Sequence, residues 1–349
     1  MKIMVMFLNY ALILLISINC GEQPETNEEQ PNTNETDDDS VQTLGYIEKL
    51  DDELDLILNP ANLPEIIGEG FDWSEGPVWV EEHEFLLFSD VPGNMIYQWS
   101  EENGLVPYLQ PSGYTGAEER GGGLGSNGLI IGQNGELLLC QHGDRRIARM
   151  DATLDQPAPE FTTIAGNYGG NLFNSPNDLV QHSSGRIYFT DPPYGLEGYV
   201  NDPAKELDFQ GVYRVDMHGT VTLLTVELSR PNGLAFSPDE SLLYVANSDR
   251  GRAYWMVYDV RDNGNIANGR LFYDVTEHVG EEPGLPDGMK VNSDGIIFAT
   301  GPGGVWIFKP DATVLGIVKT GEFISNLAFD EDESTLYMTA NAYLLRLAL

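Results

Sequence analysis

Six short segments of the sequence resemble one another, and each carries an acidic or amide residue at its second position. The spacings between these residues are 52, 50, 55, 55 and 39, and the residues are Glu75, Asn127, Asn177, Asn232, Asp287 and Asn326. None of the six is Lys or Arg, so the set offers only carboxylate and amide oxygens and amide N–H groups. Hard cations such as Ca²⁺ and Mg²⁺ prefer oxygen ligands of this kind, whereas Zn²⁺ prefers His and Cys. If the fold brings the six together, the repeated position predicts a divalent-cation site.

A simpler interpretation is that these residues only make turn hydrogen bonds where strands begin, as Asn and Asp commonly do. That interpretation suffices for a single Asn-Gly pair. Six residues in register, with a Glu and an Asp among them, favour metal binding, because carboxylates withdrawn from water need a counter-charge.

The elements that would position these residues are short β-strands. Each segment begins a unit with two further β-rich runs, and five of the six units have a fourth. The sixth unit ends with the chain, and an unpaired apolar run at 64–68 precedes the first unit. Placed as the outer strand of the last unit, that run would close a ring. The sequence therefore predicts an all-β fold, a six-bladed β-propeller over 64–349 whose last blade is closed by an N-terminal strand.

The alternative fold, two α/β domains, requires helical periodicity between the strands, and almost none is present after residue 58. In a propeller the first strand of each blade lines the central channel. The six repeated residues should therefore converge near the axis at one rim.

The charge of the chain limits its partners. Among 349 residues, 55 Asp and Glu face 18 Lys and Arg, for a formal charge of −37. Such a field repels nucleic acid and anionic lipid, so neither is expected as a partner. No motif bears on the oligomeric state.

The N-terminus has the features of a targeting segment. Residues 1–20 have a positive start, an apolar run and a terminal Cys20, which predicts a lipoprotein-type signal peptide with lipidation at Cys20. An ordinary secretory peptide cut nearby is the alternative. Residues 21–58 predict a disordered acidic tether with a possible short helix. The protein is then expected to be exported, as a periplasmic or cell-surface bacterial lipoprotein touching the membrane only through its lipid, or otherwise as a secreted protein.

Several motifs together resemble the gluconolactonase–regucalcin (senescence marker protein) family, in particular its bacterial gluconolactonase-like branch. The matching segments are 74–77 (SEGP), 141–146 (QHGDRR), 175–178 (SPND), 190–195 (TDPPYG), 230–234 (RPNGL) and 285–289 (LPDGM). The resemblance covers 64–349 and implies hydrolysis of a sugar lactone such as glucono-1,5-lactone to the aldonic acid. It also implies a divalent cation, Ca²⁺ first, with Zn²⁺, Mg²⁺ or Mn²⁺ as alternatives.

The resemblance further implies four metal ligands: Glu75, Asn177, Asn232 and Asp287. In some relatives the residue at the Asn177 position binds the substrate instead, so both roles are kept for it. Asp287 is the expected catalytic base, with a metal-bound hydroxide as the alternative. Asn127 and Asn326 would then contact either the metal ligands or water in the channel.

Four further residues follow the second strands of blades two and three, where side chains can face the channel mouth. On this ground we predict substrate contacts for His142, Arg145, Asp191 and Tyr194. The Gly-rich loop 110–124 is long enough to cover the site. Two other functions stay open at this point: a phosphotriesterase or aryl-esterase on the same metal site, and a non-catalytic binding propeller.

Overall fold

The second strand of each repeat unit is an almost uninterrupted apolar run, because both of its faces are buried. In the first unit, Leu86 and Phe88 pack with residues of the last unit, while Phe85 and Leu87 pack with residues of the second. The same alternation recurs around the molecule. Six hydrophobic clusters result, one between each pair of neighbouring units.

A computed structural model describes residues 41–349. Its strands in chain order are β1 (Tyr46–Lys49), β2 (Glu65–Glu69), β3 (Ser74–Val80), β4 (Phe85–Asp90), β5 (Met95–Ser100), β6 (Gly104–Leu109), β7 (Ser126–Ile131), β8 (Leu137–Gln141), β9 (Arg146–Met150), β10 (Phe161–Ala165), β11 (Asn167–Tyr168), β12 (Asn171–Leu172), β13 (Leu179–Gln181), β14 (Ile187–Asp191), β15 (Gly211–Val215), β16 (Val221–Thr225), β17 (Pro231–Phe236), β18 (Leu242–Asp249), β19 (Arg252–Val260), β20 (Ile266–Asp274), β21 (Met289–Val291), β22 (Ile297–Gly301), β23 (Gly304–Phe308), β24 (Val314–Lys319), β25 (Asn326–Phe329), β26 (Thr335–Ala340) and β27 (Tyr343–Ala348). Four short 3₁₀ helices accompany them: Asp52–Leu56, Glu81–His83, Tyr199–Asn201 and Thr276–His278.

These strands form six antiparallel blades, which confirms the predicted propeller. Blades one to four are β3–β6, β7–β10, β13–β16 and β17–β20, each with its strands in sequence order across the sheet. The inner strands β3, β7, β13, β17, β21 and β25 each contact the next, and β25 contacts β3. This chain of contacts closes the ring around one axis. A small separate hairpin, β11–β12, was not predicted.

The last blade is closed as the sequence predicted. Strand β2 pairs antiparallel with β27 in the order β2-β27-β26-β25. The Arg346 guanidinium reinforces this pairing by donating to the Glu65 carboxylate at 2.7 Å. Near the axis, the Ser325 hydroxyl donates to the Ser74 carbonyl of blade one at 2.7 Å. The N-terminal strand and the last unit of the chain thus form one blade, which packs against blade one and closes the ring.

The prediction of a disordered tether is wrong for residues 41–58, which belong to the propeller, although the short helix predicted within 21–58 is present as the 3₁₀ helix Asp52–Leu56. Strand β1 pairs with β24 and makes blade five a five-stranded sheet. The 3₁₀ helix that follows buries Leu54 completely, and Leu58 is 2% exposed. A segment this polar cannot build its own core, but it can cover an existing one, and here it joins the cluster between blades five and six. Composition alone could not reveal that docking surface.

Residues 1–40 lie outside the described residues, and with them the predicted signal peptide, its Cys20 and the first part of the predicted tether. Within 41–349 no helix has the length and apolar character needed to cross a membrane. Cys140, in β8, is fully buried among apolar side chains.

Candidate active site

Five of the six repeated residues line one cavity of about 910 Å³ at the axis: Glu75, Asn127, Asn177, Asn232 and Asp287. Each of them lies where an inner strand begins. In blades one, two and four the ladder shifts register at that point, as at Glu75–Val78 and Pro231–Leu234. Such a bulge bends the strand and re-aims a side chain. The repeated motif therefore places a polar side chain on the axis once per blade.

The glycine that follows the repeated residue allows neighbouring blades to approach at the axis. A Cβ atom on Gly76 would lie 2.0 Å from the Asn127 carbonyl oxygen, and one on Gly233 would lie 2.2 Å from that of Asp287. Gly76 also has a positive φ of 52°. Any side chain here would push the ring of polar residues apart, which explains the Glu-Gly, Asn-Gly and Asp-Gly pairs of the motif.

The cavity is strongly unfavourable for bare negative charge. Burial first, and then the charge of Asp178, raises the pKa of Glu75 to about 8. The pKa of Asp287 is also raised, first by burial and then by the charges of Glu75 and Asp178. Carboxylates in this state either hold protons or take up a cation.

The donor atoms fit a hard cation. Within the described part of the chain, Asn127 Oδ1 and Asp287 Oδ1 are buried and have no hydrogen-bond partner. Buried polar atoms of proteins normally have a hydrogen-bond partner, so unpaired oxygens beside a cavity are suited to bind a ligand. No group of three or more His, Cys, Asp and Glu side chains in residues 41–349 forms a metal site by itself. A cation here would need amide oxygens together with Glu75 and Asp287, a set suited to Ca²⁺.

Asn326, the sixth repeated residue, does not line the cavity and instead joins two charged residues that the sequence analysis missed. Its amide nitrogen donates to Asp178 Oδ2 at 3.3 Å, and its Oδ1 accepts from Lys290 Nζ at 3.3 Å. Asp178 occupies the position that is Gly in four other repeats. That departure was the available signal. The signal for Lys290 was a charge on an inner strand.

Of the predicted substrate contacts, Asn177, His142 and Tyr194 line the cavity. His142 is 2% exposed, and neither of its ring nitrogens has a hydrogen-bond partner among the described residues. Burial, together with the charge of Arg120, lowers its pKa to about 3, so the imidazole is neutral. The Tyr194 hydroxyl donates to the Ser248 carbonyl at 3.1 Å, and burial raises its pKa.

Two predicted substrate contacts are wrong, because Arg145 and Asp191 do not line the cavity. Arg145 has a positive φ of 58°, and its guanidinium donates to the carbonyls of Phe173 at 2.5 Å and Ala204 at 2.8 Å. The Asp191 carboxylate accepts from the backbone N–H groups of Asn174 and Ser175 at 2.9 and 2.8 Å. Both side chains therefore bind backbone groups in the loops next to blade three. The backbone conformation at the end of each second strand directs them there and away from the cavity.

The wall of the cavity includes residues that no motif marked. Trp73 and Phe323 form an apolar side, with ring centroids 6.1 Å apart. Asp249 adds a negative charge to the wall, and Arg230, the first residue of the 230–234 motif, adds a positive one. These residues come from different blades and turns, so their proximity depends on ring closure.

The predicted covering loop does reach the cavity. Gly122 and Gly123 line it, and the Arg120 guanidinium lies 5.0 Å from the centre of the Tyr114 ring. Arg120 also donates to the Gly195 carbonyl at 3.4 Å, which connects the loop to the segment carrying Tyr194.

Comparisons with known proteins agree with the resemblance found in the sequence. The family model described as the SMP-30/Gluconolactonase/LRE-like region matches residues 73–342. A gluconolactonase of Zymomonas mobilis is 40% identical over 312 residues, covering 87% of this chain and 86% of that protein. A solved gluconolactonase of Xanthomonas campestris superimposes with a TM-score of 0.75 at 30% identity, covering 88% of this chain and 97% of that one.

A more distant structure, a calcium-binding regucalcin of Agrobacterium tumefaciens, has a TM-score of 0.61 at 18% identity and covers 81% of this chain and 92% of that one. At that identity the likeness concerns the fold alone. The family model spans most of the propeller, including every blade's inner strand and the residues gathered at the axis. The chain therefore belongs to the SMP-30/gluconolactonase/LRE-like family.

Proposed function

We propose that this protein is a metal-dependent hydrolase that opens a sugar lactone, such as glucono-1,5-lactone, to the aldonic acid. Family membership supports lactone hydrolysis, and the Zymomonas mobilis relative is a gluconolactonase. The observation that carries the proposal is the ring of carboxylates and amides at the axis, with two buried oxygens free to bind. The cavity of about 910 Å³ is large enough for a monosaccharide-sized ligand.

The residues that would hold the cation are Glu75, Asn177, Asn232 and Asp287, with Ca²⁺ as the first candidate. A bound divalent cation would polarise the lactone carbonyl and favour charge development on its oxygen. The raised pKa values of Glu75 and Asp287 support this assignment, because burial and neighbouring carboxylates disfavour the ionised forms, which a bound cation would stabilise. The oxygen-rich donor set argues for Ca²⁺ over Zn²⁺.

Asp287 is the proposed general base. Its Oδ1 is buried without a partner, so it can accept a proton from a water held in the cavity. The water oxygen then attacks the carbonyl carbon, the ring C–O bond breaks, and the former ring oxygen leaves with a proton. A neutral carboxylic acid at Asp287 could return that proton.

His142 and Tyr194 are proposed to orient the sugar. A neutral imidazole offers one N–H donor and one acceptor nitrogen, and both nitrogens of His142 are free. The Tyr194 hydroxyl already donates to a backbone carbonyl, so it remains available only as an acceptor for a substrate hydroxyl. The Trp73 ring supplies an apolar face against which a sugar ring can stack.

The decisive experiment is a panel of five- and six-membered sugar lactones, with and without a chelator, followed by separate addition of Ca²⁺, Mg²⁺, Mn²⁺ and Zn²⁺. We expect turnover of at least one lactone, its loss on chelation, and its best recovery with Ca²⁺. Paraoxon and an aryl ester in the same panel test the phosphotriesterase and esterase alternatives. No hydrolysis of any lactone with any of the metals would refute the proposal.

We also propose that the protein is exported and anchored by lipid at Cys20, on the strength of the sequence pattern in residues 1–20. The acidic segment after Cys20 would then lead to the propeller, whose first strand begins at Tyr46. Mass spectrometry of the protein from bacterial membranes should find a diacylated or triacylated N-terminal cysteine. A Cys20→Ser variant recovered from the membrane fraction in the same amount as the wild type would refute the anchor.

A further inference from the structure

A lysine, Lys290, lies among the acidic and amide side chains at the axis, apart from the arginines Arg230 and Arg250 on the cavity wall. Lys290 lies on the inner strand β21, three residues after Asp287, and is half-buried. Its ammonium donates to the carbonyl of Met289 at 3.2 Å and to Asn326 Oδ1 at 3.3 Å. Lysine ammonium groups normally extend into water, so one fixed at a propeller axis needs an explanation.

Asn326 connects Lys290 to the negatively charged side chain of Asp178. The Asn326 amide that accepts from Lys290 also donates to the Asp178 carboxylate at 3.3 Å. The position of this amide is tightly constrained, because a Cβ on Gly288 would come within 2.2 Å of it. The Asp178 side chain is 3% exposed, and its second oxygen accepts from the backbone N–H of Leu179 at 2.9 Å. Lys290, Asn326 and Asp178 thus form one connected layer directly behind the cavity.

The charges of this layer and of the cavity act on one another. Burial lowers the pKa of Lys290, and the charges of Asp178 and then Glu75 act in the opposite direction. Glu75 and Asp287 in turn respond to each other and to Asp178. When Glu75, Asp178 and Asp287 are ionised around a bound cation and Lys290 is protonated, these four side chains carry three negative charges and one positive charge, a net charge of −2. That balance matches a single divalent cation.

We propose that Lys290 is a positioning residue whose fixed positive charge sets the affinity and the valence preference of the axial cation site. The inference rests on the proposed function, since it requires a cation at Glu75 and Asp287. In this arrangement the ammonium neutralises Asp178 and weakens the hold on the bound cation. The ammonium repels a trivalent ion more strongly than a divalent one, so it shifts the preference of the site toward the divalent ion. The role of Asn326 is to keep the Lys290 ammonium and the Asp178 carboxylate at a fixed distance from each other.

The test is a charge cycle measured by calorimetric titration of the metal-free full-length protein with Ca²⁺ and with Tb³⁺. Lys290→Met keeps the aliphatic stem and removes the charge, so Ca²⁺ should bind at least about tenfold more tightly. Tb³⁺ should gain more affinity than Ca²⁺, because the energy of a charge pair scales with the charge of the ion. Lys290→Arg, which keeps the charge, should bind Ca²⁺ within about threefold of the wild type.

The opposite change completes the cycle. Asp178→Asn leaves one negative charge at the axis, and Ca²⁺ should bind at least about tenfold more weakly than to the wild type. The double variant, with both substitutions, restores the original balance and should return to within about threefold of the wild-type affinity. If Lys290 has a purely structural role, each substitution should weaken Ca²⁺ binding, and the double variant should bind Ca²⁺ more weakly than either single variant.

The outcomes separate this inference from the proposed function. If the wild type binds Ca²⁺ and hydrolyses a lactone while Lys290→Met binds Ca²⁺ equally or more weakly, only the role of Lys290 is refuted. If the wild type binds no cation and hydrolyses no lactone, both are refuted. Circular dichroism and thermal melting check that each variant is folded. If Lys290→Met does not fold, Lys290→Gln is a second variant without the charge.

Discussion

Replacing His142 with Gln removes an ionisable group from the cavity wall while keeping a polar side chain there. His142 is 2% exposed, and its pKa in the folded protein is lowered to about 3, by burial first and then by the charge of Arg120. In an unfolded chain the pKa of histidine is about 6.5. Because the folded pKa is the lower one, the unfolded state takes up the proton first as the pH falls. Stability that is present above about pH 6.5 is therefore lost toward about pH 3.

The size of the effect follows from the width of that interval. Each pH unit between the two pKa values is worth about 1.36 kcal/mol, so at pH 5 the wild type should have lost about 2 kcal/mol through His142. Urea unfolding followed by tryptophan fluorescence at pH 7.5 and pH 5.0 measures this loss. The loss should be about 2 kcal/mol larger in the wild type than in His142→Gln.

A matched control is His218→Gln, which alters an exposed histidine in a surface turn. It should show the same pH dependence as the wild type. Equal losses in the wild type and His142→Gln would mean that the imidazole is solvated or paired, and the reasoning about the cavity would be wrong. The same neutrality predicts no break near pH 6.5 from His142 in the pH dependence of kcat/KM.

Three further predictions concern single side chains. Asp287→Asn should lower lactone turnover at least about 100-fold and weaken Ca²⁺ binding. The control Asp294→Asn, at an exposed turn of the same blade, should change neither. Equal activity of the two variants would show that Asp287 has no part in the mechanism. Leu54→Ala should lower the free energy of unfolding by about 2–5 kcal/mol, whereas Leu56→Ala, in the same 3₁₀ helix but 85% exposed, should leave it nearly unchanged. Arg145→Met should lower the melting temperature without changing KM, because the guanidinium bonds backbone carbonyls away from the cavity; a raised KM in a stably folded variant would contradict this.

The repeat was enough to predict the blades and the closing strand. Each unit repeats the same order of short apolar runs and turn residues, which marks its strands. The last unit lacks a fourth strand, and the unpaired run at 64–68 was the one segment available to supply it. Strand β1 and the 3₁₀ helix at Asp52–Leu56 left no such pattern. Their pairing partner is an outer edge on blade five, more than 250 residues away in the chain. Local composition carries no information about that edge.

The candidate site divides in the same way. Residues at the repeated position could be assigned to the axis because every blade presents its inner strand identically. Arg145 and Asp191 were misplaced because the direction of a side chain after a strand depends on the φ angle of the turn and on nearby backbone donors and acceptors. Their strands were predicted correctly, yet the side chains point to the loops of blade three.

The sequence by itself determined the number of blades, the polar residue that each contributes to the axis, and the family resemblance, because all three are periodic or local. Only the tertiary structure decided which of those residues share a cavity and which charges act on them. Asn326 shares the motif of the other five, but it lies behind the cavity, between Lys290 and Asp178. Distances across a closed ring depend on every blade at once, so the electrostatics of the site arise only when the last strand is in place.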